Sequence, residues 1–204
     1  MSCPVYLVDD DMAIVDSVSW LLEGEGFDVQ AFYCAESFLA EVVISQPGVV
    51  LLDINMPGID GLELQKKLAE KDSSLVIVFL TGHASVEITK IAFKRGANDL
   101  LQKPVNGEEL CSAVAQAQDL AMSLSSSKQA NADLEVRVAS LTDRERDLVP
   151  LIMQGKANKV IADELCIALR TVEIHRHNLF KKMGVASGIQ LAFDGQRILA
   201  LLGG

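Results

Sequence analysis

The sequence lacks the marks of several large functional classes. Its four cysteines, Cys3, Cys34, Cys111 and Cys166, form no CxxC pair, and no Cys/His cluster has zinc spacing. Scattered thiols flanked by apolar residues fit a reducing compartment. No stretch approaches the ~20 consecutive apolar residues of a membrane span. The opening MSCPVYLVDDD has no basic region and its apolar run stops at Asp9, so it does not read as a signal peptide. The expected location is the cytoplasm, with no membrane partner. Cations are scarce as well: 18 Lys+Arg stand against 28 Asp+Glu, a formal net charge of −10. Taken whole, so acidic a chain is a poor candidate to bind nucleic acid, because phosphate contact needs cations.

Apolar residues, by contrast, make up 50% of the 204 positions, enough to fill real cores and to exclude a disordered tail. The length allows one large domain or two small ones. The pattern changes near residue 125. Before it, short apolar runs at Val5–Val8, Val29–Phe32, Val49–Leu52, Leu75–Leu80 and Asp99–Leu101 alternate with helical patterns near 11–24, 36–45, 61–70, 84–95 and 108–124. Regular alternation predicts βαβ units and a doubly wound parallel sheet of five strands. After it no strand pattern remains. Helical patterns follow at 142–154, 158–165, 169–183 and 187–202, with Gly155 and Gly184 as stop signals. The expected fold is α/β with a second, all-α four-helix domain.

Charge divides at the same place. Residues 1–122 carry 7 Lys+Arg and 19 Asp+Glu, net −12, and residues 123–204 carry 11 and 9, net +2. Within residues 156–182 six cations face three anions. The objection from net charge therefore applies to the first half only.

Ligands of open parallel sheets bind beyond the carboxyl ends of the strands. Here those ends carry Asp9-Asp10-Asp11, Asp53, Thr81-Gly82 and Lys103-Pro104. Crowded carboxylates raise one another's pKa, and a hard divalent cation such as Mg²⁺ removes the conflict. A carboxylate in that setting can attack phosphorus to give an aspartyl phosphate. Thr81 and Lys103 then suit phosphoryl oxygens, and Gly82 leaves room for them. Asp11 reads as a helix N-cap. His83 reads as a loop residue, with no metal partner visible.

In the second half, Ile161, Ala162 and Leu165 fit one short amphipathic helix, and Val172, His175, Leu179 and Met183 fit another. The link Cys166–Ala168 is short, as a helix-turn-helix requires. His175 reads equally as a buried, hydrogen-bonded histidine or as a phosphate ligand, and Lys181-Lys182 as a solvated helix end. Ile189, Leu191, Phe193, Ile198, Leu199 and Leu201 supply apolar surface for a dimer face or for a core. Between the halves, Leu110, Val114, Ala117, Ala121 and Leu124 step by 4, 3, 4 and 3, the spacing of a coiled-coil seam. Leu134, Val138 and Leu141 resume it out of phase. Either a long helix is interrupted around residues 125–131 or it runs through.

The segments VYLVDDD, LLDINMPGIDG, FLTGHAS and DLLQKP resemble the four signatures of response-regulator receiver domains, in order and over residues 1–122. LTDRER, NKVIADEL, RTVEIHRHNLFKKMG and the closing helix resemble the LuxR-type helix-turn-helix of the NarL/FixJ class, over about residues 141–202 of an expected domain at 141–204. Residues 123–140 form the helical linker between them. The resemblance implies phosphorylation at Asp53 and a Mg²⁺ site of Asp9, Asp10, Asp53 and the Asn55 backbone carbonyl. It also implies Thr81 as switch hydroxyl and Lys103 as phosphate partner, with Gly82 beside them and a cis Pro104. For DNA it implies base-facing Glu173, Ile174 and His177, with phosphate contacts from Lys159, Thr171, Arg176, Lys181 and Lys182. The implied partners are a sensor histidine kinase, double-stranded promoter DNA and a second copy on phosphorylation, with RNA polymerase a further candidate. The implied kinase dock is the first helix near Met12, Ile14 and Val15, plus the Pro104 loop.

Two departures stand out. Leu100 occupies the position of the usual aromatic switch residue, and Ala168 that of the usual Ser N-cap, a loss of ~1 kcal/mol. The implied role is a transcription factor, not an enzyme beyond slow autodephosphorylation. The alternatives are a receiver with RNA- or protein-binding output, or a Mg²⁺-dependent phosphatase with an aspartyl intermediate. The second usually needs an Asp two residues after the nucleophile, where Asn55 stands.

Overall fold

A computed structural model of the chain describes residues 3–82 and 85–203. His83 lies outside the described residues. The chain divides into two compact units, with the boundary between Ser127 and Lys128.

In the first unit the apolar runs form five parallel strands, β1 (Val5–Val8), β2 (Val29–Phe32), β3 (Gly48–Asp53), β4 (Leu75–Thr81) and β5 (Asp99–Gln102), ordered β2-β1-β3-β4-β5. Among the described residues, five helices alternate with them: α1 (Met12–Gly24), α2 (Ala35–Glu41), α3 (Gly61–Glu70), α4 (Val86–Lys94) and α5 (Gly107–Ala139). Successive strand residues point to opposite faces, so each central strand feeds two cores. Val5, Leu7, Val49, Leu51, Val76, Val78 and Leu80 pack with α1 and α5, while Tyr6, Val8, Val50, Leu52, Ile77 and Phe79 pack with α2, α3 and α4. Burial on both faces is why β1 and β3 show no polar alternation. The edge strands differ: Gln30 and Ala31 are exposed on β2, and Gln102 is exposed on β5. Asp11 caps α1 by accepting from the Ala13 amide.

The expected seam in α5 is corrected. Leu110, Val114, Ala117 and Ala121 are buried against the sheet, and Leu124 is exposed. Leu134 and Val138 pack instead into the core of the second unit. The 4,3 stepping is therefore core-facing amphipathicity, and its phase slips because two different cores use it. The helix runs through residues 125–131 without a break.

The second unit holds the end of α5 and five further helices among the described residues: α6 (Asp143–Met153), α7 (Asn158–Leu165), α8 (Leu169–Met183), α9 (Gly188–Phe193) and α10 (Gly195–Leu202). The single closing helix expected over 187–202 is thus two. The break falls at Asp194, which ends α9 and begins α10. Gly195 then passes so close to Met153 that a Cβ there would lie 2.3 Å from the Met153 methyl carbon. The core joins Leu148, Val149, Ile152, Ile161, Val172, Leu179, Met183, Leu191 and Ile198. Cys166 closes α7 in the left-handed region (φ 53°), and Gly184 closes α8 there (φ 67°).

Candidate functional site

The parallel sheet brings the ends of β1, β3, β4 and β5 to one rim. Asp9 (1% exposed) and Asp53 (5%) are buried there, while Asp10 is exposed. Carboxylate oxygens of all three lie within 4.8 Å of one another. Lys103, at the end of β5, donates to Asp9 and, at 2.6 Å, to Asp53 Oδ1. Asp53 Oδ2 accepts from the Asn55 amide at 2.8 Å, and Asp9 Oδ1 from the Asp11 amide at 3.0 Å. Short loop backbone thus fixes both carboxylates.

Burial pushes the Asp9 carboxyl above its ordinary value and outweighs the lowering pull of Lys103 and the Asp11 amide. Lys103 is desolvated too, but its bonds to Asp53 and Asp9 overcome that and hold its ammonium above the ordinary range. One ammonium against three carboxylates leaves surplus negative charge among oxygen donors only, which fits a hard divalent cation. Thr81 is fully buried at the end of β4, and its carbonyl accepts from the Lys103 amide. Among the described residues, a Cβ on Gly82 would meet nothing within 4 Å. The Lys103–Pro104 peptide is cis. Leu100 packs partly into the core shared with α4.

The turn after Asp53 has a steric lock that sequence reading missed. A Cβ on Gly61 would lie 2.2 Å from the Asp53 carbonyl oxygen and 3.0 Å from Ile54 Cα. The Gly61 amide also donates to the Ile54 carbonyl. Gly61→Ala must displace the backbone that carries Asp53. It is expected to cost about 1–3 kcal/mol and to slow phosphoryl uptake, read by denaturant melts alongside a labelling time course. Unchanged labelling would show that Asp53 tolerates the shift.

On α1 the expected kinase-facing set is corrected. Val15 is in the core and Ile14 packs against it; Met12 is exposed, and so is Trp20, which sequence reading did not single out.

In the second unit, α7 and α8 are joined by the short turn through Cys166. Neither Ala157 nor Ala168, at their N-caps, makes a side-chain cap bond. Val172, Leu179 and Met183 bury one side of α8, and His175 is half-buried. Glu173, Ile174, His177 and Lys181 are exposed, as is Lys159 on α7, and Thr171 is half-buried.

Two of the expected phosphate contacts are occupied elsewhere. Arg176 donates to Asn158 Oδ1 at 2.9 Å and lies over the Phe180 ring at 5.2 Å. Lys182 turns inward to Glu145 Oε2 at 2.7 Å and the Ser140 carbonyl at 2.9 Å. Conversely, Arg170 and Asn178 are exposed on α8 and were missed. Their signal was present: residues three and four apart share a helix face.

Glu145 also closes a capping box with Thr142 at the start of α6. Its burial raises its pKa, but Lys182 and the Thr142 bonds win and hold it below the ordinary value. An acid depressed by folding stabilises the fold when ionised. That contribution is full above the ordinary glutamate value of about 4.3 and fades as pH falls through the lower folded-state value. Glu145→Gln is expected to cost about 1.5–3 kcal/mol at neutral pH, with the gap to wild type closing in acid. Denaturant melts across pH measure this; a pH-independent gap would contradict the ion pair.

Among the described residues, no helix is long and apolar enough to cross a membrane. Residues 5–115 match the response regulator receiver domain family, and residues 139–193 match the family of bacterial regulatory proteins named for luxR. The chain is 39% identical over 187 residues to the tetrathionate response regulatory protein TtrR of Salmonella typhimurium, covering 92% of this chain and 89% of that one. It is 38% identical over 179 residues to the transcriptional regulatory protein FixJ of Bradyrhizobium diazoefficiens, covering 88% and 87%. Among solved structures, response regulator StyR superposes with a TM-score of 0.88 at 36% identity, covering 98% of this chain and 99% of that one. The acidic rim and the helix-turn-helix thus belong to one two-part design, and the chain is a member of the FixJ-like response regulators, transcription factors with a receiver domain and a LuxR-type DNA-binding domain.

Proposed function

We propose that Asp53 accepts a phosphoryl group from the phosphohistidine of a sensor kinase. The observation that carries this is the Asp53 carboxylate, oriented by Lys103 and the Asn55 amide beside two further carboxylates. An Asp53 oxygen forms the new P–O bond as the donor's P–N bond breaks. Asp9, Asp10, Asp53 and the Asn55 carbonyl are the proposed ligands of Mg²⁺, which when bound offsets phosphoryl charge. Lys103 and the Thr81 hydroxyl take phosphoryl oxygens, beside Gly82. Exposed Met12 and Trp20 on α1 are the proposed kinase dock, with the Pro104 loop. The receiver serves as an acceptor, with slow loss of phosphate its only catalysis.

The added charge of ≈ −1.5 to −2 draws Thr81 and Lys103 inward and repacks the face of α4, β5 and α5. Leu100 follows by a change in packing, in place of a ring flip. Two copies then pair, and two α8 helices engage adjacent half-sites of promoter DNA, gaining avidity. Glu173, Ile174 and His177 face bases; Lys159, Thr171 and Lys181 face phosphates. RNA polymerase is the proposed downstream partner. Promoter DNA as target places this work in the bacterial cytoplasm. The proposed domain limits are residues 1–122, 123–140 and 141–204; the packing of Leu134 and Val138 favours carrying a test fragment back to residue 128.

Duplex binding by the full chain across salt concentrations tests the output. Affinity is expected to fall steeply and log-linearly with salt. An absence of salt-dependent duplex affinity, or a stronger response to single-stranded RNA, would redirect the output to another partner.

A further inference from the structure

The exposed stripe of α8 carries an anion where DNA presents phosphates. Glu173 lies on the first turns of the helix, within the stripe Arg170, Glu173, Ile174, His177 and Lys181. Any carboxylate entering the groove there meets a strongly negative field. The side chain has a partner: Arg170 donates to Glu173 Oε2 at 3.0 Å. The Arg170 side chain is otherwise 82% exposed and buries no stem against the core. In water such a pair adds little to stability, so the fold does not account for it. Arg176 and Lys182, the cations nearest in sequence to the rest of the stripe, are engaged with Asn158 and Glu145. Arg170, bonded only to its stripe neighbour Glu173 among the described residues, is therefore the exposed guanidinium at the start of α8.

We infer that Arg170 and Glu173 act as one reading unit that specifies a G·C-containing step in the operator. This rests on α8 being the groove-entering helix. A guanidinium fork needs two adjacent acceptors on one base edge, which guanine O6 and N7 supply. A carboxylate needs a donor, which the cytosine N4 amine supplies. The pair thus matches the two complementary edges that G·C pairs present in the major groove. Arg170 also offsets the charge of Glu173 until both are seated. A residue that only contacts phosphate would leave sequence preference untouched and change salt dependence instead.

The test is selection of binding sites from random duplexes by the phosphorylated full chain, followed by affinity measurements on the selected site and its single-base variants. The variants are Arg170→Lys, Arg170→Ala, Glu173→Gln and the Arg170→Ala/Glu173→Ala double. All change exposed positions, and circular dichroism confirms the helices. Arg170→Lys keeps the charge and loses the fork, so it should lose discrimination at one G·C pair by about tenfold or more with an unchanged salt slope. Glu173→Gln should relax or shift preference at the neighbouring pair. The losses from the two single truncations should not multiply in the double variant. The inference is overturned if Arg170→Lys keeps full discrimination while Arg170→Ala weakens all sequences equally and lowers the salt slope by about one. It is also overturned if the two losses multiply. A wild-type chain with no salt-dependent duplex affinity would be a different result, removing the groove-entering role of α8 itself.

Discussion

Asp53→Asn should take up no phosphoryl group from a small phosphodonor with Mg²⁺, under conditions where the wild-type chain takes up one. The asparagine has the shape of the aspartate, and its one carbonyl oxygen can accept either from Lys103 or from the Asn55 amide, while its NH2 group can only donate. It lacks a nucleophilic carboxylate. Intact-mass measurement reads the result directly. Asp9 is buried and fixed by its own bonds to Lys103 and the Asp11 amide, and Asp10 is exposed at the rim's edge. Asp9 shares with Asp53 a bond to Lys103 and one to a loop amide, so what sets Asp53 apart is its place at the end of the central strand β3, between β1 and β4. A phosphorylated Asp53→Asn product would move the acceptor to another carboxylate and break the central assignment.

Lys103→Met should destabilise the cation-free chain by about 3–5 kcal/mol, the cost of removing one partner from a buried ionic network. Asp9 and Asp53 would be left facing each other and Asp10 with no compensating charge. Mg²⁺ should restore much of the loss, because a divalent cation neutralises the same carboxylates. Lysine and cation compete for that surplus charge, so the variant should bind Mg²⁺ more tightly than wild type does. Denaturant melts with and without Mg²⁺ measure both effects. Equal stabilisation of the two chains by Mg²⁺ would show that Lys103 and the cation do not share ligands.

Much of this was legible in the sequence, for identifiable reasons. Strands β1, β3 and β4 are unbroken apolar runs because both faces are buried, and a parallel sheet sends their carboxyl ends to one side. Reading the residues after each strand was then enough to assemble Asp9, Asp10, Asp53, Thr81 and Lys103. The helix-turn-helix followed from apolar spacing and the short link at Cys166–Ala168. Periodicity failed where it could not name the partner surface. In α5 the same 4,3 stepping serves the sheet at Leu110–Ala121 and the second core at Leu134 and Val138, and it looked like a seam between chains. Side-chain commitment was equally hidden. Nothing in the local sequence says that Lys182 turns to Glu145, 37 residues away, or that Gly61 touches the Asp53 backbone. Arg170 and Asn178 were readable from helical spacing alone, since residues three and four apart share a face with Glu173, Ile174, His177 and Lys181.

The division of charge gives these parts their meaning. A receiver of net −12 concentrates carboxylates around a phosphoryl site, and a partner region of net +2 presents a cationic stripe on α8. In the proposed function, what joins them is phosphorylation-dependent DNA binding. The most direct test is the affinity of the full chain for promoter duplex, with and without phosphodonor and Mg²⁺, in wild type and Asp53→Asn. Phosphodonor should raise wild-type affinity by about tenfold or more through pairing of two chains and leave Asp53→Asn unchanged. An equal rise in both chains, or none in either, would contradict control of the DNA-binding domain by Asp53.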